Sequence, residues 1–523
     1  MDEYSLNFDP HPRPLQAEKL SHLVGTSGPL PLDIMESSLY YDDPRNEKFT
    51  RHNISVDKLM AMIRSYLVTH PSRLFKNYYG FICVRHAIHI TCLEVLHATG
   101  ILEEVSIALP RSANWAEMSR DIAFAALDRA ANALSIPESY RSLCRIFTKP
   151  GVFRHPNARQ EIPHALSFIW DDRDSFTLLY SRGLLPGCAL LLLASLTILR
   201  TNTSEVNSYR GGLLHLEDLA FRIYLVGSPR DRQVLAPVCV APISENLLWR
   251  DDIKRFVNSS DTRVISTAYS GLLSLWEKDR SNSYKVPVDL MHQLAAFVRD
   301  MAEFDPSVTC NDLTDIAYTS LKFLWLIFDY GVTISEEDYP GIRRYAANRI
   351  WLIRTIQLER NPTQEEQYYL AQMLAEIDII SLVGRVMLLM SYKGNLLRNT
   401  QRIDMMLEEL YLLTTTITRS IAVAPHLLLD WQFEWLKVQM HFVLLLEDIC
   451  VDIDPASKTM LENMSRMWAH FGQSLSPDRN LPAYECANPR CYRKRTPGRL
   501  LRKNYVCGRC CNVSYCDQHC QGL

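Results

Sequence analysis

The sequence predicts a mostly α-helical body followed by a small cysteine-rich unit, and three observations carry this prediction. Over most of residues 51–475, apolar residues recur at steps of three and four, which is the spacing of one buried helix face. Alternating apolar and polar runs long enough to form strands are scarce in the same range. Seven of the fourteen cysteines, by contrast, lie within the last 38 residues, beyond the helical pattern.

The clearest helical pattern covers Pro425–Cys450. Seven apolar residues advance there by alternating steps of three and four, and they mark one stripe along a helix of about seven turns. These residues are Leu428, Trp431, Trp435, Val438, Phe442, Leu445 and Ile449. Further helices are predicted at residues 56–70, 74–99, 112–134, 288–303, 339–358, 364–379, 401–421 and 457–472.

Two helices also have recognisable ends. Asn311-Asp312 is expected to cap a helix that ends at Gly331. Ser260-Asp261 is expected to cap another, whose apolar face is Val264, Ala268, Leu272 and Leu275. Many antiparallel helices of this length in series predict an α-solenoid similar to armadillo or HEAT arrays. This prediction rests on helix number and length, because no fixed sequence period emerges.

Shifts in composition predict three parts of the chain. Six prolines and little apolar periodicity in residues 1–50 predict an extended N-terminal arm. Segments rich in Pro, Gly and polar residues interrupt the helical pattern at 149–163, 279–287 and 473–482. The last of these separates a helical body, residues 51–475, from a C-terminal unit, residues 476–523.

Composition and charge place the chain among soluble globular proteins. The formal net charge is −3 and charged residues make up 22%, so total charge gives no sign of nucleic-acid binding. The start, Met1-Asp2-Glu3-Tyr4, lacks the basic and apolar regions of a secretory signal, and an intracellular location, in cytoplasm or nucleus, is expected. The apolar run Leu184–Leu199 has 16 residues. A membrane span needs roughly 20, so a buried core helix is predicted there.

The tail cysteines have the spacing of zinc ligands. Cys507 and Cys510 form a Cys-x2-Cys turn, from which two thiolates can reach one ion. Cys516 and Cys520, four residues apart, would share one face of a helical turn. Cys486 and Cys491 add a wider pair. One alternative from spacing alone is a single ion held by Cys507, Cys510, Cys516 and Cys520.

In this order, with Tyr515 before Cys516 and Gln521 after Cys520, the tail resembles the MYND zinc finger over about 38 residues. The resemblance implies interleaved sites, in which Cys486, Cys491, Cys516 and Cys520 complete one four-thiolate Zn²⁺ site. Cys507 and Cys510 would begin a second site, which is incomplete because the family's closing His and Cys have no counterpart before Leu523. His519 or Cys511 are alternative ligands there, although neither stands in the family's ligand position.

The resemblance also implies a function. Fingers of this family bind short proline-containing peptides, so a protein partner is expected and the zinc is structural, without catalysis. The methyltransferases that carry such fingers have a SET domain, and its Asn-His-x-Cys motif is absent from this sequence. Eight Lys and Arg residues in the tail leave a nucleic-acid-associated regulator as an alternative. We favour the interpretation that these basic residues offset the negative charge of the zinc thiolates, because the tail has few aromatic residues that could stack on nucleic-acid bases.

Two other groups of polar residues suggest metal chemistry less strongly. Cys83, His86, His89 and Cys92 fall three apart on a predicted helix, where only two could reach one ion, so core packing is predicted. Asp171-Asp172-Arg173-Asp174, with Asp312 downstream, is similar to the magnesium-binding acids of all-helical terpene synthases. The acids are placed differently, however, and solvated helix caps are predicted, with a metal-dependent helical enzyme as the alternative.

Overall fold

In the computed structural model the described residues are almost entirely helical, which confirms the predicted mostly α-helical body. It divides into two compact units, Met1–Asp261 and Thr262–Leu523. The residues that the structure describes are 29–46, 49, 54–69, 73–134, 137–148, 158–200, 210–240, 257, 259–278, 288–329, 339–358, 360–390, 411, 413–420, 422–424, 431–449, 455–474, 505–506 and 514–515.

The first unit surrounds one long apolar helix, α3. Every residue of α3 from Tyr79 to Leu96 is buried, because α2, α5 and α9 pack around it. The helices are α1 Leu32–Tyr41, α2 Val56–Thr69, a 3-10 turn at Leu74–Lys76, α3 Tyr78–Ala98, α4 Leu102–Ala108, α5 Trp115–Leu134, α6 Pro137–Thr148, α7 Ala158–Asp171, α8 Arg173–Ser181, α9 Cys188–Arg200, α10 Arg210–Val226 and α11 Pro229–Val240.

Two apolar helices of this unit bear on membrane insertion. Within the described residues, α3 alone has the length and mean hydropathy of a membrane span, and 89% of its apolar window is buried inside the protein. That burial is typical of a core helix. The run predicted as a core helix, Leu184–Leu199, forms the 13-residue helix α9, and ten of the residues from Cys188 to Ile198 are buried. The prediction of a buried core helix is confirmed.

The second unit is a succession of helices that pack on near neighbours in the chain. Helix α15 lies against α13, α14 and α17, and α18 lies between α17 and α19. The elements are α12 Ser259–Lys278, whose first three residues belong to the first unit, α13 Val288–Phe304, α14 Cys310–Asp329, α15 Tyr339–Leu358, α16 Gln364–Glu376, α17 Ile379–Met390, α18 Trp431–Ile449, α19 Pro455–Ser474, β1 Tyr505–Val506 and β2 Ser514–Tyr515.

Most predicted helices occur within a few residues of their expected bounds. Residues 339–358 agree at both ends, and the range 288–303 is extended by one residue. The predicted helix 74–99 is divided into the 3-10 turn and α3. Residues 413–420 of the predicted helix 401–421 are helical, while 401–410 lie outside the described residues. Of the stripe predicted in Pro425–Cys450, Val438 and Phe442 are buried in α18, and residues 425–430 lie outside the described part.

Both predicted caps are misplaced by one to three residues. Helix α12 begins at Ser259, and its buried face includes Ile265, Tyr269 and Leu272, while Val264 and Leu275 are about half exposed. The N-cap of α14 is Thr309, whose hydroxyl accepts the Asp312 N–H at 3.1 Å. The Asp312 carboxylate accepts the Thr309 N–H at 2.9 Å, so these two residues form a capping box. The described part of α14 ends at Asp329, and the predicted terminator Gly331 lies outside the described residues.

Two segments predicted as irregular contain helices. Within the predicted extended arm, α1 buries Ile34, Met35 and Leu39, and it packs on α3. Within the predicted break at 149–163, α7 begins at Ala158 and includes Pro163. Gly212 of α10 lies so close to Pro163 that a β-carbon there would overlap its ring. Close packing of α7 on α10 therefore offsets the backbone hydrogen bond that the proline lacks.

Candidate functional site

The predicted metal ligands, Cys486, Cys491, Cys507, Cys510, Cys516 and Cys520, all lie outside the described residues. The structure does describe two short strands between them. Strands β1 and β2 are antiparallel, with Tyr505 opposite Tyr515 and Val506 opposite Ser514. In the sequence, Cys507 directly follows β1 and Cys516 directly follows β2. Because the strands are antiparallel, their C-terminal ends lie at opposite ends of the pair.

Each strand is followed directly by one part of the cysteine pattern, β1 by the Cys507/Cys510 pair and β2 by the Cys516/Cys520 pair. The segment that joins the strands, residues 507–513, contains the Cys-x2-Cys turn. The segment with the four-residue spacing follows β2 at the other end of the pair. Residues 507–513 themselves lie outside the described residues.

The helical Cys and His group of α3 is part of the core. Cys83, His86, His89 and Cys92 are all buried, as predicted. Asp42, just after α1, organises the histidines: His86 Nε2 lies 2.6 Å from its carboxylate, and His89 Nε2 lies 3.2 Å from its backbone carbonyl oxygen. The Nε2 atoms of both histidines therefore face acceptors of Asp42 and are not available to a shared ion.

Burial also sets the protonation of this group. It lowers the pKa of His89 to about 4, and the neighbouring His86 contributes in the same direction. Burial raises the pKa of the Cys83 and Cys92 thiols, so these groups stay protonated. Metal ligation requires thiolates. Among the described residues, no group of three or more His, Cys, Asp or Glu side chains is arranged to hold a metal ion.

The acidic run at the start of α8 is held by protein donors. Asp172 is buried, contrary to the predicted solvated cap, and its carboxylate accepts the Phe75 N–H and the Ser175 hydroxyl, each at 2.7 Å. The Asp174 carboxylate accepts a hydrogen bond from the Arg73 guanidinium at 2.7 Å. Burial raises the pKa of Asp172. This carboxylate joins the 3-10 turn to the start of α8, which gives it a structural role. Asp312 is engaged in its own helix cap.

A buried ion cluster in the first unit was missed by the sequence interpretation. Arg222 of α10 is fully buried, and its Nε donates to Asp218 at 2.7 Å while a terminal nitrogen donates to Asp261. Burial raises the pKa of Asp261 to about 6, and the Arg222 charge opposes this shift. The four-residue spacing of Asp218 and Arg222 was a visible signal. Asp261 lies 39 residues from Arg222 in the sequence, and no sequence pattern indicated that the two residues pair.

In the second unit, an exposed surface carries tyrosines bonded to carboxylates. We call it the α14/α16 face, and it comprises Asp315 and Tyr318 of α14 with Tyr369 and Glu376 of α16. Tyr318 donates to Glu376 and Tyr369 donates to Asp315, each at 2.5 Å, so two hydrogen bonds cross between the helices in opposite directions. The bond to Asp315 raises the pKa of Tyr369 to about 12. The Tyr369 hydroxyl therefore stays a neutral donor.

Comparisons of this chain with protein-family models, with curated proteins and with solved structures found no match. Its function is therefore argued from its own residues.

Proposed function

We propose that this chain is a zinc-binding protein-interaction protein, in which a helical scaffold presents a C-terminal finger to a peptide of a protein partner. One observation carries the proposal, namely the order and spacing of six cysteines together with Tyr515 and Gln521. Zinc with four thiolates has no open position for water, so the ion is structural and no hydrolytic activity is expected.

The ligands divide into two sets in this proposal. Cys486, Cys491, Cys516 and Cys520 hold one ion, and Cys507 with Cys510 begin a second site. The antiparallel pairing of β1 and β2 supports this division, because the chain leaves the two strands in opposite directions toward Cys507 and Cys516. The buried thiols and histidines of α3 are unsuited to compete for zinc, which leaves the tail as the metal-binding part.

The helical body acts as the scaffold. Between α13 and α19, helices pack mainly on partners that are close in the chain, and this supports a solenoid-like array. The hydrogen-bonded carboxylates of α8 and α14 support a scaffold over a magnesium enzyme. The partner peptide is expected to contain proline, and the chain to work inside the cell, where thiols stay reduced.

Metal analysis of the purified full chain tests the proposal. About one zinc per chain is expected if only the four-thiolate site fills, and about two if His519 or Cys511 completes the second. Cys516→Ser should lose one zinc, because a hydroxyl is a poor zinc ligand. Cys511→Ser is the matched control and should keep the wild-type zinc content if one ion is bound. A wild-type protein without zinc would refute the proposal.

A further inference from the structure

Charge is unevenly distributed along this chain. Residues 486–523 contain eight Lys and Arg residues and one acidic residue, Asp517, which gives +7. Since the whole chain carries −3, the remaining residues carry −10. A four-thiolate zinc site adds about −2, so the tail keeps about +5 even with zinc bound. That positive charge is able to pair with an acidic surface of the same chain.

The α14/α16 face has the chemistry of such a surface. Helices α14 and α16 together contain six acidic residues and one basic residue, Lys322. On the face itself, Asp315 and Glu376 are exposed, and each accepts one tyrosine hydroxyl. A carboxylate has about four acceptor positions, so each can still accept a guanidinium. Tyr369 is about 40% exposed and offers a ring for arginine stacking.

The tail is long enough to reach this face. Helix α19 ends at Ser474, and residues 475–485 form an 11-residue connection that spans at most about 40 Å. Helix α19 packs on α18, α18 on α17, and α17 on α16. At interaxial distances of 8–10 Å, these three steps amount to about 30 Å measured across the helices.

We propose that the basic segment 490–503 docks on the α14/α16 face of its own chain, with arginines paired to Asp315 and Glu376. This inference goes beyond the proposed function, because it depends on the charge of the tail and on the described face, not on the metal. The docked segment covers the tail's basic surface, so a partner of the finger must displace it or bind beside it.

Limited trypsin digestion of the full-length, zinc-loaded chain tests the docking, because trypsin cleaves after the same Lys and Arg residues. At low salt, the double variant Asp315→Asn with Glu376→Gln should be cut within 490–503 about fivefold faster than wild type. Both substitutions keep an acceptor for the tyrosine hydroxyls while removing the charge. High salt should remove the protection in wild type, because it screens exposed pairs.

The matched control is Glu103→Gln with Glu104→Gln, which removes two exposed charges from α4 in the first unit and should leave the cleavage rate unchanged. Equal cleavage of wild type and the Asp315/Glu376 variant would overturn the docking. So would faster cleavage of the control variant, or protection that grows with protein concentration, since the latter indicates a second copy. Zinc content measured on the same samples separates the two proposals: protection without zinc would retain the docking and reject the finger.

Discussion

At the scale of single residues, the first unit depends on buried polar groups that find partners far along the chain. Asp42 has no exposed surface, and it contacts two histidines of α3 through its carboxylate and its backbone carbonyl oxygen. A buried charge without a partner is costly, so this residue and His86 stabilise each other. The helical pattern placed His86 on α3, but nothing in the sequence indicated a partner 44 residues upstream.

We expect Asp42→Ala to lower the free energy of unfolding by about 3 kcal/mol, because His86 would be left buried beside an empty space. Glu462→Ala provides the comparison, since Glu462 pairs with Arg466 on the exposed side of α19 and its loss should cost about 1 kcal/mol or less. Urea unfolding followed by far-UV circular dichroism measures both. Equal losses for the two variants would contradict a structural role specific to Asp42.

At the scale of elements, α18 and α19 are held by a close contact between two tryptophans and a glycine. The indole N–H of Trp435 donates to the carbonyl of Trp468 at 2.8 Å, and that of Trp468 donates to the carbonyl of Trp435 at 2.9 Å. Gly472 lies against the Trp435 ring, and a β-carbon at this position would overlap the ring. The glycine therefore determines how closely the two helices approach.

Gly472→Ala should reduce the free energy of unfolding by about 1–3 kcal/mol, because the added methyl group forces the indole out of its position. Gly271→Ala in α12 is the matched control, since no atom lies within 4 Å of the position of its β-carbon. There the same change should stabilise the protein by about 0.5–1 kcal/mol, through the higher helix propensity of alanine. Thermal unfolding midpoints that move in the same direction for both variants would contradict this account.

Periodicity predicted the elements well where one helix face decides the structure. Helices α13, α15 and α19 lie within two residues of their predicted bounds because their apolar faces repeat over many turns. Where the predicted elements differ from the structure, packing between segments that are distant in the sequence is the reason. Helix α7 includes Pro163 because α10 packs on it through Gly212, and the exposed Val264 and Leu275 looked apolar enough to mark the buried face of α12. Contacts between distant segments leave no periodic signal.

At the scale of the whole molecule, the chain has two helical units where the sequence predicted one body. The division falls within the first turn of α12, where no Pro- or Gly-rich linker marks it. Composition alone could not locate it, because the sequence shows there only the start of one helix among many. The proposed zinc ligands, in contrast, are predicted from the spacing of the cysteines and from the resemblance that they carry, and they lie outside the described residues.

Removal of zinc should affect the tail and leave the two helical units intact. Treatment with a strong chelator is expected to abolish binding of the partner peptide, because closed thiolate sites supply the folding free energy of small fingers. The far-UV helical signal and the main unfolding transition should change little, since α1 to α19 contain no metal group among the described residues. A large loss of helical signal on chelation would show that metal also supports the body.

The Trp435–Trp468 pair gives the protein an optical reporter beside its tail. Trp468 is completely buried and its indole N–H is hydrogen-bonded, so its emission should lie at short wavelength and shift to the red when water enters. Helix α19, which carries Trp468, is the last described helix before residues 475–523. Because the chain has nine tryptophans, the difference in fluorescence between wild type and Trp468→Phe is the signal that reports whether events at the tail are transmitted into the helices.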